Sequence, residues 1–592
     1  MDFSKGWSYT VKWIFLFILI GIVAGVGSVI FQFLCDLGMH YLMDMLAGYR
    51  PAGPLGERSL FSPTDTPFRR WMLIVLPAIG GFISGLLVYT FAPEAEGHGT
   101  DAAIEAYHRK KGLIRPRVPI IKAIASAITL TSGGSGGREG PIAQIGAGFG
   151  SFLATKLNLS YRERRIMLAA GIGAGVGSIF RAPLAGALFA AEVLYKEPDF
   201  EAEVLIPAGI SSVIAYCLFC SVYEWGPLFV SKSYIFKNPL ELGPFVILSL
   251  VLVGMSYVYV KIFYAVHDFF KRLNISAHLK PALGGLLTGI IGYFIPQSLS
   301  FGYGFLQKAL LGKVGLSLLI TVAFAKILTT SFSIGSGGSG GVFGPSIVIG
   351  GAIGGALGII FNKFFPHLIT HPESMVVLGM AGFFAAVSNA PISTIIFVSE
   401  MTGSYQLLIP SFLVCLLCYR FSKNWTIYKE QVDNKVSSPA HEGEFFSNIL
   451  SLYKVKDIYH LIRPVKTVPE DMSFCEFKKF FAETNQTYYP VVNKKGEFVG
   501  IFSTSDFKSI LFASEVEKLI LVKDIAVKDI ISTNLEEDLD TVVRKFTIKN
   551  LDSLPVVDVL NPKKLIGMLR RKEVISFYNK KVEELTKPKT EV

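Results

Sequence analysis

The sequence predicts an all-α polytopic membrane protein with two related halves and broken helices, followed by a smaller C-terminal α/β domain. Three observations carry this prediction. Charged residues make up only 17% of the 592 positions, against roughly 25% in soluble proteins, and the mean hydropathy is +0.47. Two glycine-rich segments, Gly133-Gly-Ser-Gly-Gly-Arg138-Glu139-Gly-Pro141 and Gly337-Gly-Ser-Gly-Gly-Val342-Phe343-Gly-Pro345, are near copies 204 positions apart in apolar surroundings. From Ser422 onward the chain turns charged, and there it repeats itself on a shorter period.

Uncharged stretches long enough to cross roughly 30 Å of hydrocarbon include Trp13–Leu34, Trp71–Ala92, Val204–Tyr223 and Leu242–Val260. The first is too long for a leader core and reads as a retained helix. Ile327 to Asn362 carries no charge over 36 residues and has Gly and Pro at its middle. One straight helix of that length would overshoot the bilayer, so two partial helices meeting at the glycines are expected. The net charge of +11 reads as a cytoplasm-facing surface, with no nucleic-acid partner expected. The Cys217/Cys220 and Cys415/Cys418 pairs sit in apolar runs and read as buried hydrophobes, not metal or redox ligands.

A second duplication supports the two halves, about 10–225 and 240–430. The segment Gly171 to Glu192, with Arg181-Ala-Pro at its centre, parallels Gly379 to Glu400, with Asn389-Ala-Pro, 208 positions later. Repeats with Gly/Pro-interrupted helices at matching places point to a transport site near the midplane. The predicted organisation is a membrane domain over 1–431 and a linker over 432–453. Two α/β repeats over 454–515 and 522–580 and a basic tail over 581–592 follow. Val455-Lys-Asp-Ile458 recurs as Val527-Lys-Asp-Ile530, and Tyr489-Pro-Val-Val492 as Leu554-Pro-Val-Val557. A lone unit of this size makes a marginal core, so the two repeats are expected to pack together.

Each glycine segment ends in Gly-Pro ahead of a helix-like stretch, and Pro suits the first helical turn. Irregular backbone at membrane depth is tolerated only where protein or water surrounds it. Free N–H groups and positive helix ends there form an anion site, which nominates Gly137, Arg138 and Gly140. Arg138 and Glu139 are the only charges between Lys122 and Lys156. An intramembrane carboxylate is a functional candidate. Glu139 can fill the anion site as a tethered competitor and leave it on protonation, acting as gate and proton acceptor. The alternative is a structural Glu139–Arg138 pair.

These segments, with Ala92-Pro-Glu-Ala, the two Ala-Pro helices ending in Glu, and Glu400-Met-Thr-Gly-Ser-Tyr405, resemble the chloride channel and chloride/proton antiporter (CLC) family. The resemblance covers nearly the whole membrane region, with its motifs in order. The C-terminal repeats resemble a tandem pair of CBS domains. The resemblance implies inverted halves, a homodimer with one pathway per subunit, a multi-pass protein of the plasma membrane with cytoplasmic CBS domains, and chloride or a similar small anion as substrate. By resemblance Glu139 is the gating glutamate, the backbone N–H groups of Val342 and Phe343 are central anion donors, and Tyr428 closes the inner gate.

Two departures qualify this picture. The family's third anion segment usually carries a serine, whereas here it reads Gly97-His98-Gly99-Thr100-Asp101. An imidazole N–H can also donate to an anion, and a protonated one adds pH sensitivity; alternatively His98 points elsewhere and backbone alone binds the ion. Antiporters of the family usually follow the Ala-Pro-helix glutamate with a second one, but here Glu192 is followed by Val193. That loss favours passive, channel-like chloride conduction, with proton-coupled antiport as the alternative and a non-conducting nucleotide sensor as a second. Fluoride or nitrate as the preferred anion is a variant of the transport reading. In the soluble repeats, Gly500-Ile-Phe-Ser503-Thr-Ser-Asp506 fits the CBS nucleotide pattern, with Asp506 for ribose and Ser503 for phosphate. The second copy, Gly567-Met-Leu-Arg570-Arg-Lys-Glu573, has lost the hydroxyl. One regulatory adenine nucleotide (ATP, ADP or AMP) is expected, or else the pair is only a dimerisation platform. An enzyme is not expected: no P-loop ending, metal-ligand spacing or nucleophile–base set stands out.

Overall fold

The computed structural model describes residues 3–232, 234, 236, 238–441, 450–508, 510, 519–548 and 550–586. The chain divides into two compact units, Met1–Ala440 and His441–Val592. The first therefore runs past the expected boundary at 431. Lys196 and Glu197 donate their N–H groups to the carbonyls of Val432 and Asp433, both at 2.9 Å, and Ser438 bonds His108 at 2.8 Å.

The helices of the first unit fall into two sets in the same order. The first set is α1 (Phe3–Gly38), α2 (Met72–Phe91), α3 (Thr100–His108), α4 (Arg117–Thr131), α5 (Glu139–Lys156), α6 (Tyr161–Ile179), α7 (Pro183–Glu192) and α8 (Ala202–Tyr223). The second is α9 (Leu242–Arg272), α10 (Lys280–Phe294), α11 (Tyr303–Leu310), α12 (Leu316–Gly335), α13 (Phe343–Phe364), α14 (Ser374–Ser388), α15 (Pro391–Thr402) and α16 (Leu408–Ser422). Among the described residues, 7 helices are long and apolar enough to cross a membrane, and two shorter apolar helices accompany them.

The breaks fall where the sequence puts glycine and proline. Gly133 and Gly337 take φ of +107° and +99°, a region open to glycine and costly for other residues, and this turns the chain out of α4 and α12. Pro183 and Pro391 open α7 and α15, each preceded by a left-handed residue, Arg181 and Asn389. The expected break inside Ile327–Asn362 is present. The first member is nevertheless a 20-residue helix, because α12 starts at Leu316 and buries the charge of Lys326 within it.

Helices pack closely through equivalent glycines. A methyl on Gly146 would meet the Gly171 carbonyl at 2.1 Å, and one on Gly350 would meet the Gly379 carbonyl at 2.2 Å. Without a hydrophobic force between helices in lipid, such close backbone approach supplies the van der Waals contact. The halves meet at the glycine segments. Gly137 and Gly341 exchange both N–H···O bonds, at 2.7 and 2.6 Å, in an antiparallel bridge. Antiparallel pairing of equivalent residues implies a local two-fold axis, as inverted halves require. Flanking hydroxyl pairs obey the same symmetry: Ser126–Ser339 at 2.8 Å and Ser135–Thr330 at 2.9 Å.

Among the described residues, the second unit contains two three-stranded sheets. β1 (Val468–Pro469) runs parallel to β2 (Tyr488–Val492), which pairs antiparallel with β3 (Phe498–Ser503); β4 (Thr533–Asn534), β5 (Ser553–Val557) and β6 (Leu565–Arg570) repeat this order. Both hairpins carry the same bulge, at Val491/Val492 and Val556/Val557. The short parallel strands are an addition to the expected hairpins; two residues carry no periodicity. The repeats interlock. Val455 and Ile458 of the first lie in a core with Leu539, Val542 and Leu554 of the second, while Val522 joins the core of Phe474, Phe477 and Phe502. The expected tail from 581 begins within a helix, Arg571–Thr586, and its remainder lies outside the described residues.

Candidate functional site

Four irregular segments converge between the halves. Two are the glycine-rich loops that precede α5 and α13. The others are Gly97–Gly99, which leads into α3, and its counterpart Ser300–Gly302, which leads into α11. Gly97 bridges to Ser339. Each of the latter two loops is held by a wholly buried lysine. Lys122 donates to the Ala95 and Gly97 carbonyls at 3.0 and 2.7 Å; Lys326 donates to the Ser298 and Ser300 carbonyls at 3.1 and 2.6 Å. The two lysines are 204 positions apart. A buried amine is costly unless bonded, and here it ties loop backbone to a helix.

Glu139 is the first residue of α5 and is 2% exposed. The Gly344 N–H donates to its Oε2 at 3.2 Å, and the Tyr303 hydroxyl donates to Oε1. The carboxylate thus lies at the N-terminus of α13, where helix geometry favours an anion. The donor is Gly344, one residue beyond the expected Val342 and Phe343. Both of these are buried beside it, and the Phe343 ring packs on Phe180 and Phe384 at 4.5 and 4.1 Å.

Arg138 turns away from this carboxylate. Its guanidinium makes a bidentate pair with Glu57, at 2.7 and 2.9 Å, bonds Gln32 and lies over the rings of Phe301 and Tyr303 at 5.7 and 5.3 Å. The alternative in which Arg138 and Glu139 form a structural pair is thereby replaced by an Arg138–Glu57 pair. Gly137 forms the bridge between the halves. Gly140 lies under the His98 carbonyl, which a methyl group there would meet at 1.9 Å.

On the other side, the Tyr428 hydroxyl is buried, with the Thr100 side chain near it. The ring of His98 lies 5.4 Å from that of Tyr428 and 6.4 Å from that of Phe263. Its side chain is 8% exposed, and Nε2 stands 3.9 Å from Asp101 Oδ2. Among the described residues, Nδ1 is buried without a hydrogen-bond partner. Asp101 accepts the Glu430 N–H at 2.8 Å. The structure therefore brings Gly137, Gly140, Glu139, His98, Val342, Phe343 and Tyr428 into one region.

Glu192 and Val193 are both wholly buried. Glu192 accepts the N–H groups of Ile392 and Ser393, at 3.0 and 2.7 Å, capping α15. Glu400 does the same for Leu184 and Ala185 of α7, at 3.4 and 2.9 Å. The recurring Glu is a reciprocal helix cap between the halves, which explains its fixed distance from Ala-Pro. Tyr303, Lys122, Lys326 and Glu57 were not singled out from sequence. The first three repeat the 203–204 residue spacing of the glycine segments, so extending the repeat by a few residues would have found them.

In the second unit, Ser503 Oγ donates to Asp506 Oδ2 at 2.8 Å. A cavity of about 630 Å³ is lined by residues that include Arg463, Tyr488, Asp552, Arg570, Arg571 and Lys572, and by neither Ser503 nor Asp506, although Tyr488 pairs with Ser503 across the sheet. Burial pushes the Tyr488 phenol above its ordinary value, with the Asp552 and Asp506 carboxylates adding to this, so it remains neutral. Glu573 accepts from Arg463 Nε at 2.8 Å.

The family described as "Voltage gated chloride channel" matches residues 80–423, and that described as "CBS domain" matches 455–513 and 522–580. The H(+)/Cl(-) exchange transporter ClcA of Salmonella agona is 28% identical over 68% of this chain and 84% of its own length. A crystal structure of a slow cyanobacterial Cl-/H+ antiporter shares 25% identity with a TM-score of 0.62, covering 70% of this chain and 94% of that one. A eukaryotic CLC transporter, 18% identical, has the same fold over 95% of this chain and 98% of its own, with a TM-score of 0.57. With more than half of the chain matched and the motifs gathered at one buried carboxylate, the protein belongs to the voltage gated chloride channel family and carries a tandem CBS pair behind its membrane unit.

Proposed function

We propose that the protein exchanges chloride, or a similar monovalent anion, for protons, with Glu139 as both gate and proton acceptor. One observation carries this reading: the Glu139 carboxylate occupies the N-terminal end of α13, taking the Gly344 N–H as an external anion would. An ionised carboxylate there competes with chloride. A protonated one loses its claim on the positive helix end and yields the place. One group then couples proton uptake to anion entry.

The named exchangers among its relatives favour antiport over the passive conduction expected from Val193. Passive conduction stands as the second reading, because an apolar, buried Val193 cannot relay protons. Reconstitution of the full chain in liposomes under a pH gradient separates the two. Antiport predicts uphill chloride accumulation driven by protons. Chloride that moves only down its own gradient would overturn it.

His98 is the proposed selectivity residue, supported by its buried, unpartnered Nδ1. Tyr428, buried with Thr100 and His98 near it, is the proposed inner gate. The working form is proposed to be a homodimer in the plasma membrane with the CBS pair in the cytoplasm. For the regulatory adenine nucleotide, the about 630 Å³ cavity is a better host than Ser503 and Asp506. It offers Arg570, Arg571 and Lys572 to phosphates, whereas Ser503 and Asp506 satisfy each other.

A further inference from the structure

We propose that Tyr303 is a latch that holds the Glu139 gate in its seated position; the proposal rests on the gating reading above. Tyr303 opens α11 directly behind Gly302, whose φ is +78°. Thr100 opens α3 directly behind Gly99, whose φ is +83°. The two loops are counterparts in the repeat. Thr100 lies near Tyr428, and Tyr303 bonds Glu139. The same position in each half therefore places a hydroxyl beside one of the two proposed gates.

The latch is rigidly mounted. Lys326 pins the Ser300 carbonyl at 2.6 Å, three residues before Tyr303. The Tyr303 ring stacks on Phe301 at 5.9 Å and meets Phe229 edge-on at 5.7 Å. Arg138, itself held by Glu57, covers its face at 5.3 Å. A hydroxyl so placed donates to an ionised carboxylate and so favours the charged, seated form of Glu139. The other charged or titratable groups around Glu139 are Arg138 and Lys326, with Tyr428 and Cys35 farther off and Glu57 behind Arg138. None of them is altered by removing the Tyr303 oxygen alone.

The test is chloride flux from liposomes containing the full chain, measured across a pH series. Removing a donor from the charged form makes Glu139 protonate at higher pH. Tyr303→Phe is therefore expected to move the activation midpoint up by about one pH unit, roughly a tenfold change in the gate equilibrium. Fluorotyrosine placed at 303 is a stronger donor with the same shape, and it should move the midpoint down. In a Glu139→Gln background, Tyr303→Phe should change nothing. If Glu139→Gln abolishes the pH response but neither change at 303 moves the midpoint, the latch is wrong and the gate stands. If the pH response survives Glu139→Gln, the gate reading fails and takes the latch with it. Should Tyr303→Phe not fold, the fluorotyrosine protein alone decides: an unmoved midpoint overturns the proposal.

Discussion

At the residue scale, the unsatisfied nitrogen of His98 is the most informative detail. A buried donor or acceptor without a partner costs about 1–3 kcal/mol, and Nδ1 has none among the described residues. A passing anion is the partner proposed for it. His98→Ala is expected to weaken chloride binding by roughly tenfold, in line with a single hydrogen bond to a charged group, and His98→Ser should restore part of it. Titration calorimetry on the purified full chain checks this; unchanged affinity would leave the backbone as the sole donor there. His98, Glu139 and Tyr428 were legible because each stands in a motif. Tyr303, Lys122 and Lys326 were not, because a tyrosine or lysine carries no local mark of the loop it will hold.

At the element scale, the glycine pairs set helix spacing. At Gly146 and Gly350 the obstructing atom is a backbone carbonyl at about 2 Å, which cannot swing aside as a side chain can. Gly146→Ala and Gly350→Ala should each destabilise the membrane unit by roughly 1–3 kcal/mol. Gly243, with nothing within 4 Å of an added methyl, should tolerate Ala. Thermal unfolding in detergent measures both, and equal midpoints for Gly350→Ala and Gly243→Ala would show that the packing relaxes. The helix breaks themselves were readable, since Gly and Pro oppose regular helix for local reasons. The boundary of α12 was not: the buried Lys326 ended the apolar run in sequence without ending the helix. Glu192 and Glu400 resolve as reciprocal caps, so the loss of a carboxylate at Val193 leaves helix capping intact.

At the scale of the whole molecule, duplication is the organising device twice over. In the membrane unit it builds one candidate anion site from two half-proteins; in the C-terminal unit it lets two marginal repeats complete each other's cores. The second arrangement creates the cationic cavity, and a ligand that binds only the folded pair must stabilise it. ATP at a hundredfold excess over its Kd should add about 2.7 kcal/mol to that unit. Arg570→Ala should reduce this gain, and Ser503→Ala should not. Unfolding curves of the full chain with and without ATP check the order of these effects. Loss of the gain in Ser503→Ala alone would return the nucleotide to the Ser503–Asp506 motif.

The sequence by itself determined the class of molecule, its two halves, its broken helices and the duplicated soluble part, and it nominated the carboxylate of Glu139. These are written in composition, in Gly and Pro, and in spacing, all of which act locally or repeat. The tertiary structure alone decided the partners. It sent Arg138 to Glu57 and seated Glu139 on Gly344 and Tyr303. It also left His98 Nδ1 without a partner among the described residues and lined the cationic cavity with neither Ser503 nor Asp506. Those pairings join residues up to about two hundred positions apart, and a side chain's partner over such a distance is set by how the helices pack, not by its neighbours in the chain.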